Sequence, residues 1–181
     1  MKNTISKFLD NYANDIYQKL KELDYFKFKN LKKKIFLLKK KNKIILVGNG
    51  GSASISSHIA VDFTKITGKR AVCFNEANLI TCFANDYGYS NWVVESLKSY
   101  AMPGDIIILI SSSGKSENLI KACQFAKMNN FFVATFTGFK KNNPLSKLGN
   151  INFWVNSDKY NIIEMVHHIW LVSLVDSLVE K

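Results

Sequence analysis

Along the first forty positions, apolar residues recur at steps of three and four. Ile5, Phe8, Leu9, Tyr12, Ile16 and Leu20 form one stripe, and Phe28, Leu31, Ile35 and Leu38 form a second. That period puts each set on one face of a helix, so the spacing predicts two amphipathic helices ahead of residue 44. The lysines that follow Leu38 suit a helix C-terminus. Neither helix can bury its stripe unaided, so each must pack on the body of the chain or on another subunit.

From Ile44 the rhythm changes. Short apolar runs at Ile44–Val47, Ala71–Phe74, Ile106–Ile110, Phe132–Phe136 and Ile151–Val155 are continuous rather than alternating. Continuous runs are expected of strands buried on both faces of a parallel sheet. Helical stretches separate them at Ser54–Lys65, Ala77–Ala84, Asn91–Ser99 and Ser116–Met128, and a last one spans Asn161–Val179. The alternation predicts an α/β fold, a doubly wound three-layer sandwich of about five parallel strands, with the N-terminal helical pair added. No linker rich in Pro, Gly or Ser interrupts the chain. It reads as one domain over residues 1–181, with helices in 1–43 and the α/β body in 44–181.

Charge and cysteine change this picture little. No apolar run approaches the ~18 residues of a membrane span, and the first twenty residues do not read as a signal peptide, so a cytoplasmic protein with no membrane association is expected. Cys73, Cys82 and Cys123 are widely spaced with no Cys-x-x-Cys pair, which predicts buried free thiols. The net charge of +11 comes almost wholly from lysine, with Arg70 the only arginine. Base and phosphate recognition by nucleic-acid binders favours arginine forks, and no such motif is present, so a solvated lysine face is the reading.

Two loops carry the chemistry. Gly48-Asn49-Gly50-Gly51-Ser52-Ala53 follows the first strand and opens a helix, where glycines permit a sharp turn and close approach to a ligand. Ser111-Ser112-Ser113-Gly114-Lys115-Ser116 follows the third strand and again opens a helix. Its four hydroxyls and the free amides of the helix start make an anion cradle sized for a phosphate monoester. Neither the P-loop spacing nor Gly-x-Gly-x-x-Gly is present.

These two loops, with Asn85-Asp86-Tyr87-Gly88 between them, resemble the three signature loops of the phosphoheptose isomerase branch of sugar isomerase (SIS) proteins. The order and spacing agree over nearly the whole chain. The resemblance implies that Ser111, Ser113 and Ser116, with Ser112 adjoining, hold a sugar phosphate. It implies that Asn49 and Ser52, on the Gly50-Gly51 turn, and Asp86 contact sugar hydroxyls. It also implies a homotetramer with sites between subunits.

Moving a proton between C1 and C2 of a ketose phosphate needs a base beside those carbons and a partner for the developing oxyanion. His58 and Asp62 are four apart on one predicted helix, and Glu164 and His168 are four apart on another, so each pair shares a face. By resemblance, His58 matches a histidine able to bind zinc, Asp62 a catalytic glutamate, and Glu164 a glutamine that binds ligand or metal. Val172 stands where the second catalytic histidine is expected, one turn beyond His168. Asp62, His168 and Glu164 are therefore the catalytic candidates. His58, Asp62, Glu164 and His168 form a candidate zinc set, since two oxygen and two nitrogen donors suit that ion. The expected activity is isomerisation of sedoheptulose 7-phosphate to D-glycero-D-manno-heptose 7-phosphate for surface polysaccharide. The alternative is a non-catalytic phosphosugar-binding regulator or scaffold, like a relative in the same branch that binds the replication initiator.

Overall fold

The computed structural model describes residues 2–180, with side-chain surroundings defined from Thr4 onward. Helices α1 (Lys2–Leu20) and α2 (Tyr25–Phe36) precede strand β1 (Ile44–Gly48). Then follow α3 (Gly51–Thr67), β2 (Ala71–Cys73), α4 (Ala77–Tyr87), α5 (Trp92–Tyr100) and β3 (Ile106–Ser111). The chain closes with α6 (Glu117–Met128), β4 (Phe132–Thr137), β5 (Ile151–Trp154) and α7 (Tyr160–Ser177). All five strands are parallel and lie in the order β2-β1-β3-β4-β5.

Side chains of the central strands alternate between two cores. Ile44 and Leu46 of β1, with Ile106, Ile108 and Ile110 of β3, meet α2, α3 and α7 on one face. Ile45, Val47, Ile107 and Leu109 meet α5 and α6 on the other. Both faces are apolar, which is why the central runs show no alternation in sequence. The edge strands depart from that expectation: Val72 of β2 is exposed, and β5 alternates buried and half-buried positions. An edge has a partner on one side only, so its cover is thinner.

At the amino end of the sheet, Asp105 is buried and accepts hydrogen bonds from Lys43 N, Lys43 Nζ, Asn42 Nδ2 and Met102 N. Burial alone would raise its pKa, but these donors together hold the carboxyl below its ordinary value.

The N-terminal helices dock as the stripes predict only in part. Leu31 and Ile35 of α2 are fully buried, and Tyr12, Ile16 and Leu20 of α1 pack on the first core. Ile5, Phe8 and Leu9 remain more than half exposed. The cysteines also differ from expectation. Cys123 is buried and its thiol is pushed up to about 12 by desolvation, whereas Cys73 is half-buried and Cys82 lies exposed on α4. No helix among the described residues is long and apolar enough to cross a membrane.

Candidate functional site

In the order 2-1-3-4-5 the chain reverses its direction of winding between β1 and β3, and ligands in such sheets sit beyond the carboxyl ends of those strands. Gly48 lies opposite Ile110 there, so the two loops singled out by sequence meet.

In the first loop, Gly50 has φ 55 and caps α3 without any side chain. Asn75 pins the strand end, accepting from Gly48 N at 3.1 Å and donating to Gly48 O at 2.7 Å. In the second, Gly114 has φ 63, a region in which side chains are disfavoured, and a Cβ there would collide with Asn143. The reversal brings the Ser111 and Ser116 hydroxyls to 3.0 Å. Ser116 precedes α6 without a side-chain cap bond; Leu119 N donates to Ser116 O at 3.1 Å, which leaves the Glu117 and Asn118 amides to face a ligand.

Between the loops is a cavity of about 140 Å³. Asn49 and Ser52 wall it from the first loop, and Ser111, Ser112, Ser113 and Ser116 from the second. Tyr160 and Glu164 of α7 close the remaining side. Ser112 Oγ is buried without a well-formed hydrogen bond among the described residues. A buried hydroxyl left open in a polar cavity is suited to a ligand oxygen. Burial raises the pKa of Glu164, and the nearby Ser112 hydroxyl only partly opposes this. The Glu164 carboxyl rests against Gly51, where any Cβ would clash with it.

The remaining candidates form a second group beside this cavity, where α3 packs on α7. His58 Nδ1 and His168 Nε2 are 2.7 Å apart, and His58 Nε2 lies 3.2 Å from Asp62 Oδ2. Two ring nitrogens in contact need one proton between them. If Asp62 accepts from His58 Nε2–H, His58 Nδ1 must accept from His168 Nε2–H, leaving His168 Nδ1 as a lone pair. Burial lowers the pKa of His168, and the facing His58 adds to this against the opposing pull of Asp62. Val172 has no polar role here; it packs half-buried on the first core.

The structure brings some of these histidines and carboxylates together and keeps others apart. The quartet His58, Asp62, Glu164 and His168 does not converge on one point in this structure. Both nitrogens of His58 are engaged, Glu164 turns to the start of α3, and no metal-holding cluster of His, Cys, Asp or Glu occurs among the described residues. Asp86 is not in a loop: α4 runs on to Tyr87, and Asp86 is exposed on its last turn, bonded by Asn85 rather than lining the cavity. His167 is a packed core histidine, fully buried with Nε2 3.1 Å from Thr137 O.

Sequence reasoning missed Tyr160, Asn75, Asn118 and Tyr89. Tyr160 lies at the start of the last helix, where no spacing rule marks it. Asn118 sits two residues past Ser116, and only the pairing of the two loops brings it to Asn49.

This five-stranded order, with a hydroxyl-lined turn at the switch point, is that of a doubly wound α/β domain with its pocket at the carboxyl edge of the sheet. The SIS domain family model matches residues 10–138, and the chain belongs to that family. Within it the chain falls in the phosphoheptose isomerase branch. It is 38% identical over 144 residues to the phosphoheptose isomerase of Thermodesulfovibrio yellowstonii, covering 76% of this chain and 71% of that one. The phosphoheptose isomerase of Buchnera aphidicola aligns over 99% of this chain and 92% of its own length at 27% identity. The fold superposes on the phosphoheptose isomerase structure from Neisseria gonorrhoeae with a TM-score of 0.87, at 22% identity over 98% of this chain and 97% of that one. A Vibrio vulnificus NanR structure complexed with ManNAc-6P shares the fold at a TM-score of 0.74 and 19% identity, over 98% of this chain and 64% of that one.

Proposed function

We propose that this chain is an aldose–ketose isomerase that converts sedoheptulose 7-phosphate to D-glycero-D-manno-heptose 7-phosphate for surface polysaccharide, working in the cytoplasm. The observation that carries the reading is the switch-point cavity, which sets a phosphate cradle of serines against the raised-pKa carboxyl of Glu164. The isomerase relatives support catalysis over a purely regulatory role.

In this reading the phosphate docks on Ser111, Ser112, Ser113 and Ser116 at the start of α6, and Asn49 and Ser52 orient the carbons near the carbonyl. His168, held by His58 and Asp62, removes a proton from C1 as Glu164, in its neutral form, protonates O2. The enediol then returns the O1 proton to Glu164 and receives the carried proton at C2. Nothing is oxidised or reduced overall, and both groups end as they began. His168 thereby stands in for the histidine absent at Val172. A cavity of about 140 Å³ is smaller than the roughly 300–1,000 Å³ of most small-molecule sites. A second copy of the chain completing the wall accounts for the difference, and the exposed Ile5, Phe8 and Leu9 stripe gives a homotetramer apolar surface to bury.

The test is deuterium entry at C1 or C2 of sedoheptulose 7-phosphate in heavy water, followed by NMR. Wild type exchanges, and Asp62→Asn and His168→Asn lose about two orders of magnitude in rate, as expected for removal of acid–base catalysis. Binding of the sugar phosphate with no exchange in the wild type defeats the isomerase reading.

A further inference from the structure

Asn49 is fastened to two residues that no motif singled out. Its Nδ2 donates to Asn118 Oδ1 at 3.0 Å, and Asn118 Nδ2 donates back to Asn49 Oδ1, also at 3.0 Å. Tyr89 OH donates to the same Asn49 Oδ1 at 3.1 Å. We infer that Asn118 and Tyr89 are positioning residues which present Asn49 to the substrate as a hydrogen-bond donor, selecting an oxygen lone pair at that point of the sugar phosphate. The inference deepens the phosphosugar reading and rests on it.

An amide oxygen accepts through two lone pairs, and Asn118 and Tyr89 take both. An amide nitrogen carries two hydrogens, and Asn118 takes one. What Asn49 has left for the cavity it lines is a single N–H. A reciprocal amide pair could rotate both partners together and stay bonded. Tyr89 decides between the two senses, because a phenol donates more readily than it accepts.

The anchors are themselves well held. Asn118 is 2% exposed and lies in the first turn of α6, beside the serine cradle. Tyr89 belongs to the segment after α4, which Lys121 ties down through Ser90 at 2.8 Å and Asn91 at 3.2 Å. The donor is thus fixed relative to the cradle by one buried residue and by one from a separate segment.

A thermodynamic cycle tests this, using sedoheptitol 7-phosphate, a sugar alcohol that binds but cannot isomerise, titrated by calorimetry. Asn118→Leu keeps the shape and deletes both bonds; it weakens binding about tenfold, one to two neutral hydrogen bonds' worth. Tyr89→Phe weakens it about threefold. Placed on Asn49→Ala, neither change matters further, because each acts through Asn49. Full effects persisting in the Asn49→Ala background, or wild-type affinity in both single variants, overturn the inference, as does a wild type that binds no phosphosugar. Tyr89 is exposed, so Tyr89→Phe reads the cycle even if Asn118→Leu folds poorly. Because the ligand cannot react, failure of the isomerase reading alone leaves these affinities interpretable: a wild type that binds but does not exchange separates the two.

Discussion

Glu164 shows how one side chain's surroundings set its chemistry. It lies four residues before His168 on α7 but faces the serine cradle, where desolvation favours its neutral form. Its folded pKa is above the ordinary 4.5. The folded protein therefore keeps that proton to higher pH than the unfolded chain, and stability falls as pH rises from about 4.5 through the higher folded value. Glu164→Gln removes that penalty. Its melting temperature exceeds that of wild type at neutral pH, and the gap closes below the ordinary carboxylate range. The same variant has no carboxyl proton to lend O2, so kcat drops between ten- and a hundredfold with KM nearly unchanged. Unaltered kcat makes Glu164 a binding group only.

At the scale of elements, two tight turns and one helix pair build the site. The serine turn depends on Gly114, whose left-handed backbone and contact with Asn143 leave no room for a methyl. Gly114→Ala costs about 1–3 kcal/mol in urea denaturation and opens the cradle, so phosphosugar affinity falls more than stability does. Such a turn is readable from sequence: four serines around a glycine, after an apolar run and before a helix, have few other uses. The α3–α7 contact is not. Spacing placed His58 with Asp62 and Glu164 with His168, but it could not show that His58 and His168 would bond to each other while Glu164 turned to the neighbouring cavity. That outcome depends on how two helices far apart in sequence lie side by side on one face of the sheet. Asp86 likewise sits on a helix that runs on to Tyr87, one turn further than its spacing suggests.

For the whole molecule, two buried polar groups set the acid response. His167 is fully buried against Phe136 and Trp170, and desolvation lowers its pKa from 6.5 to about 4. The unfolded chain binds that proton more readily, so its contribution is fully present above pH 6.5 and is lost as pH falls toward 4. His167→Gln should flatten this part of the stability–pH profile, removing a dependence of up to about 3 kcal/mol. Asp105 acts below that window: its lowered pKa gives stability that is present above 3.8 and lost as pH falls through the folded value. Asp105→Ala strands the Lys43 ammonium and three other donors, and it should cost about 3–5 kcal/mol in chemical denaturation at neutral pH. A loss under about 1 kcal/mol would mean that water replaces the carboxylate readily.

Hydrophobic periodicity by itself determined the parallel sheet, its three layers and the helical pair, because burial on two faces or on one stripe leaves a period in the chain. Local composition likewise determined the two ligand-facing turns, since glycine and serine there satisfy needs of backbone shape and hydrogen bonding that few residues meet. Which side chains then converge was decided only by the tertiary structure. Strand order set the two turns side by side and paired Asn49 with Asn118, and the packing of α3 on α7 joined the histidines and parted them from Glu164. Those contacts join residues about 70 to 110 positions apart, a separation over which no local pattern carries information.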